Sequence, residues 1–172
     1  MEIADHARCF PALPAKAAEP VVSKDYPGEL ASPQQVLQLA DQYRAAAISL
    51  RDMGQRGKPL TWAPFRMAAI HAIELYLNAL LLAGGAEPAT IRGMRHDLQL
   101  RTQAVQGLGL ILRTRTVAHL ATLHQSREYL VTRYGPELAG TMSQVNRLTA
   151  TLDELAEKAA RRFQEIPAKT SK

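Results

Sequence analysis

An all-α antiparallel bundle of about five helices is the fold class this 172-residue chain predicts. Three observations carry that expectation. Hydrophobic residues make up 47% of the chain but aromatics only 5%, so Ala and Leu dominate the apolar set, a composition that favours helix packing over sheet. From Phe65 to Ala83 nearly every position is apolar, and the exceptions Arg66, His71, Glu74 and Asn78 fall mostly on one stripe at helical spacing. Near the end of the chain, Leu138, Met142, Val145, Leu148, Leu152, Leu155, Ala159 and Phe163 recur at steps of three and four, as one helix face must.

The elements follow in order. Residues 1–31 hold Pro11, Pro14, Pro20 and Pro27 among Ala, Lys and Glu, which predicts an extended, irregular arm. Ser32-Pro33 is a helix start, with serine as N-cap and proline in the first turn. Val36, Leu37, Ala40, Tyr43, Ala47 and Leu50 give that helix an apolar face, and Gly54 stops it. Thr61 is the expected cap of the central apolar helix, which ends at Gly84-Gly85. That helix should be buried on most of its circumference, with its polar stripe facing a site or a strip of solvent.

Pro88 to Met94 reads as a short helix or turn, and Asp97 caps a helix from Leu98 to about Gly107. Leu108 to Leu112 reads as a packed connection, and a helix follows from about Thr114 to Gln125. After Gly135-Pro136 one long helix is expected to about Glu165, roughly 40 Å at 1.5 Å per residue. Such a helix would overhang a domain of this size and could pack on a second subunit. The bundle is therefore placed at 32–166, with a mobile tail at 167–172.

Cys9 is the one cysteine, which excludes an intrachain disulfide and a cysteine-based metal site. The first thirty residues lack a basic start followed by an apolar run, and His71, Glu74 and Asn78 interrupt the longest apolar stretch. A cytoplasmic protein without a membrane contact is expected. No cofactor motif is present, and His71 with Glu74 lacks the further carboxylates that a carboxylate-bridged metal site needs.

The net charge of +5 is concentrated in one segment. Arg92, Arg95, Arg101, Arg113, Arg115, Arg127 and Arg133 are seven arginines facing only two acids, Asp97 and Glu128, an excess of five that equals the net charge of the whole chain. A guanidinium binds phosphate through a planar fork, so the segment is a candidate anion or RNA surface. The alternative is that several of these arginines cover helix faces or pair with acids elsewhere in the fold.

The helix around Glu74, Ala79, Leu80 and Leu81, its Gly84-Gly85 end, and the later His96-Asp97-Leu98 resemble the HEPN domain family. That family's pattern is an apolar helix with Glu-x-x-x-Lys-Ala-Leu-Leu, a glycine end and a His-Asp-Leu motif. Asn78 stands where the family usually has lysine, and Tyr129 to Tyr134 is similar to its aromatic and arginine cluster. The resemblance covers roughly residues 33 to 160. It implies a helical bundle that forms homodimers, binds RNA or nucleotides, and works beside a separate nucleotidyltransferase or antitoxin protein.

Active members of the family carry an arginine, four to six residues, and a histidine. Arg113 and His119 match that spacing, which implies a metal-independent endoribonuclease of toxin or defence type as the alternative to binding alone. There the histidine would move the proton of a ribose 2′-hydroxyl and the arginine would stabilise phosphorane charge. A packing role for His119 is the competing reading. For His96 and Asp97 the structural expectation is that Asp97 caps a helix while His96 makes a buried hydrogen bond to Glu74. A purely structural or regulatory interaction module is the third functional class.

Overall fold

The computed structural model describes residues 26–165, and these form seven α-helices and two short 3₁₀ helices, with no strand among the described residues. Most of the expected arm, including Cys9, and the expected tail at 167–172 lie outside the described residues. The arm's last six residues are not extended: they form a turn through Gly28, whose φ of 92° suits glycine.

Helix α1 is Pro33–Arg51, and Ser32 caps it with a full capping box. The Ser32 hydroxyl accepts from the Gln35 N–H at 3.2 Å, and the Gln35 side chain accepts from the Ser32 N–H at 2.9 Å. A 3₁₀ turn at Pro59–Trp62 leads into α2, Ala63–Ala83. Thr61 does not cap α2. Its hydroxyl accepts from the Gln55 N–H and donates to the Lys58 carbonyl, closing the preceding loop, and the helix starts at Ala63 with Pro64 in its first turn.

Helix α2 is the centre of the molecule, packed by α1, α4, α6 and α7. Phe65, Ile73, Tyr76, Leu77 and Leu81 are fully enclosed in the one hydrophobic core. By length and composition the Pro59–Ala83 segment would pass as a membrane span, with a mean hydropathy of 1.3 in its most apolar window even though His71, Glu74 and Asn78 lie within the helix. Two thirds of its most apolar window is buried, so burial among the other helices accounts for that hydropathy.

Helices α3 (Pro88–Gly93), α4 (Leu98–Gly107) and α5 (Thr114–Gln125) fall where the sequence puts them. Two elements differ at the end of the chain. Glu128–Tyr134 is a separate helix, α6, set off from α5 by Arg127 at a φ of 51°. The expected long helix is broken into a 3₁₀ turn, Pro136–Thr141, and α7, Val145–Glu165.

The break has a physical cause at Ser143. Its N–H donates to the buried carboxylate of Glu128 at 2.5 Å and its carbonyl accepts from Arg66 at 2.5 Å, so neither group serves a helical ladder. Helix α7 is thus 21 residues, the same length as α2. Among the described residues this is shorter than the helix of about 28 residues whose length suggested a second subunit.

Candidate functional site

The polar stripe of α2 is the natural starting point, because each residue on it has a partner from a different element. Asn78 accepts from Arg101 Nε of α4 at 2.8 Å. The Arg101 side chain is only 3% exposed, lies 3.3 Å from Glu74, and donates to the carbonyls of Met94, Asp97 and Ile91. Burial lowers its pKa, while Glu74 and Asp97 oppose that shift. Arg101 therefore closes the C-terminal end of α3 and ties it to α2, with its donors engaged by protein acceptors.

His96 Nδ1 lies 3.0 Å from the other oxygen of Glu74, joining the loop after α3 to α2. That link sits at the surface, not in the interior, because His96 is exposed. Asp97 caps α4 by accepting from the Leu100 N–H at 2.8 Å, and its second oxygen lies 3.5 Å from His124. The His96 ring also packs on Tyr129 of α6 at 4.9 Å. His71, the next stripe residue, meets Tyr43 of α1 edge-to-face at 4.3 Å. Its pKa is pushed down, chiefly by burial and also by Arg133 and His96, with Glu74 acting against them.

A groove of about 850 Å³ opens between this stripe, the turn at 26–31, α1 and α3. Its lining is apolar at Val36, Leu39, Leu75, Pro88 and Ile91 and polar or charged at Glu29, Glu74, Asn78, Arg92, Arg95, His96 and Arg101. Arg92 stacks over the Tyr26 ring at 4.8 Å and pairs with Glu29. Arg95 sits in the α3–α4 loop at a φ of 48°, exposed, with no ion-pair partner among the described residues. Arg133 of α6 lines the adjoining clefts beside His71.

The remaining arginines are elsewhere. Arg115 is exposed on α5 and Arg127 is exposed at the α5–α6 junction. Arg113 occupies the N-cap position of α5 without a side-chain capping bond, its side chain 72% exposed and 4.0 Å from Glu154. His119 points the other way, into the α5–α7 contact, where it is only 6% exposed and its Nδ1 lies 2.8 Å from the Thr151 hydroxyl. No hydrogen bond or ion pair joins Arg113 to His119 among the described residues. Burial, with Arg147 and Arg66 nearby, pushes the His119 pKa down to about 4, so it is neutral at physiological pH.

Tyr26 of the groove and the Arg66–Glu128–Ser143 knot, with its 3.4 Å ion pair, were not visible in the sequence. His71 was, as a polar interruption of an apolar helix, but its neighbours were not. Among the described residues no three His, Cys, Asp or Glu side chains cluster as a metal site would require. Comparison with protein-family models, with curated proteins and with solved structures finds no match for this chain.

Proposed function

We propose that this protein is a nucleotide-binding, or RNA-end-binding, HEPN-like helical domain whose ligand lies in the groove beside the α2 stripe. The observation that carries the reading is the groove's mixed lining: Arg92, Arg95 and His96 share a space of about 850 Å³ with the apolar side chains of Val36, Leu39, Leu75, Pro88 and Ile91. That volume is in the range of small-ligand sites, roughly 300–1,000 Å³. A phosphate is suited to the Arg95 side, where the guanidinium is free of acids among the described residues, and a base is suited to the Leu39–Leu75 wall.

The dispersal of Arg113, Arg115 and Arg127 away from this groove favours a compact ligand over a long strand tracked by a continuous basic stripe. The HEPN resemblance supports the same placement, because the Glu74–His96 contact joins the two motifs that carry it.

Titration with a fluorescently tagged adenine nucleotide and with a short 5′-phosphorylated RNA tests the reading. Saturable binding that weakens steeply with salt is expected, with a loss of about tenfold or more in Arg95→Ala. Binding that is unchanged by Arg95→Ala and Arg92→Ala sinks it. The same RNA, incubated in chelator and resolved on a gel, reports any cleavage and whether it depends on Arg113 and His119.

A further inference from the structure

Among the described histidines, only His96 joins one anchored ring nitrogen to one open one. Its Nδ1 lies 3.0 Å from Glu74, while its Nε2 has no hydrogen-bond partner among the described residues and the side chain is 45% exposed. By contrast, the unpartnered nitrogens of His119 and His124 are buried, and His71 meets an aromatic ring rather than a carboxylate.

The partners of the His96 ring fix its chemistry. Glu74 also faces Arg101 at 3.3 Å, and a carboxylate in an ion pair only accepts hydrogen bonds. Nδ1 is therefore the donor, and the neutral ring keeps its lone pair on Nε2. The Tyr129 ring, 4.9 Å away, lies against the imidazole and limits its rotation. A carboxylate orients a nucleophilic or basic histidine in the same way in known catalytic sites.

The loop that carries the ring is itself held in place. The Asp97 N–H donates to the Met94 carbonyl at 3.0 Å, Arg101 donates to the carbonyls of Met94 and Asp97, and the Asp97 carboxylate caps α4. Arg95 has a φ of 48° in this loop, a left-handed conformation that residues other than glycine rarely adopt. The consecutive residues Arg95 and His96 both line the large groove, and Arg92 lines it with them.

Toward a phosphoryl group, an open imidazole nitrogen and a free guanidinium have complementary uses. The nitrogen can attack phosphorus, and the guanidinium can hold the oxygens on which charge develops. We infer that His96 Nε2 is a phosphoryl acceptor, taking the terminal phosphoryl group of a nucleoside triphosphate bound in the groove. The inference rests on the nucleotide reading and adds a covalent step to it. The Nε2 lone pair forms the new N–P bond, the bond from phosphorus to the bridging oxygen breaks, and the nucleoside diphosphate leaves with that electron pair. Nδ1 keeps its proton, so the ring becomes cationic and Glu74 compensates the charge. Glu74 is thus a positioning residue, acting only through the ring.

Incubation of the full chain with ATP radiolabelled in its terminal phosphate, with and without magnesium, tests the inference once the denatured protein is divided between acid and alkali. Label that survives alkali and is lost in acid is expected, as an N–P bond behaves. Its amount should fall about tenfold or more in His96→Gln, a change at an exposed side chain, and in Arg95→Ala. Glu74→Gln should slow labelling about tenfold at saturating ATP with little change in ATP affinity, a split between rate and binding that loss of packing would not give. Acid-stable label, or label equally strong in His96→Gln, overturns the inference. So does the absence of label at ATP concentrations that saturate binding, a result that leaves the nucleotide reading standing. If ATP shows no saturable binding in a parallel titration, the nucleotide reading fails and the covalent step falls with it.

Discussion

His119 shows how one side chain carries a pH dependence for the whole fold. In the unfolded chain it titrates near 6.5, and in the folded protein near 4, because burial and two nearby guanidinium groups disfavour its charged form. Above about pH 6.5 both states hold it neutral and it adds no pH dependence. Between there and pH 4 the unfolded chain takes the proton and the folded one does not, so stability falls as pH falls, by roughly 3 kcal/mol when complete. His119→Gln should flatten that limb of a urea-midpoint against pH profile. An unchanged acid limb in the variant would show that His119 is not the group responsible. The same burial bears on catalysis: a ring closed against Thr151 reaches no ribose without movement of α5 or α7.

At the scale of elements, the contact of α5 with α7 is organised by Glu154. Its buried carboxylate accepts from the Arg113 N–H at 2.8 Å and the Thr116 hydroxyl at 2.5 Å, and Lys158 lies 3.2 Å away. Burial alone would raise its pKa; the hydrogen bonds from Thr116, Arg113 and Lys158 outweigh burial and hold it below the usual value. The resulting stabilisation is present above the unfolded pKa and is lost as pH falls through the folded one. Glu154→Gln should cost about 1–3 kcal/mol at neutral pH, since charge-assisted bonds to the start of α5 are weakened. Chemical denaturation measures it, and an unchanged midpoint would mean that the α5 start is held by packing alone. The α6–α7 region obeys similar logic, with Glu128 and Arg66 setting the chain direction through Ser143.

For the whole molecule, burial is centred on α2, and stability should be graded accordingly. The amides of α2 between Ala68 and Leu81 should exchange with solvent only on global unfolding, whereas those of the turn at 26–31 and of α3 should exchange through local opening. Hydrogen exchange read by NMR checks this, and early exchange within α2 would contradict its central place. The charge distribution also has meaning at this scale. The arginine-rich segment does not fold into one basic face. Arg101 goes inside, Arg92 and Arg95 reach the groove, Arg133 lines the clefts beside His71, and Arg113, Arg115 and Arg127 lie elsewhere.

Local signals made much of the architecture legible in the sequence. Ser32, Asp97 and the Gly84-Gly85 end act through bonds within a few residues, so their roles follow from the order of residues alone. The apolar period of α2 and the all-helical composition are local in the same sense, and so is the stripe of His71, Glu74 and Asn78. The break before α7, the inward turn of Arg101 and His119, and the separation of Arg113 from His119 depend on partners 15 to 77 residues away. Helix periodicity cannot distinguish a serine within a helix from one whose backbone is claimed by a buried ion pair, nor an arginine in solvent from one that caps another helix. Those choices are made when the side chains meet, because the cost of an unpaired buried polar group is decided by what the fold brings beside it.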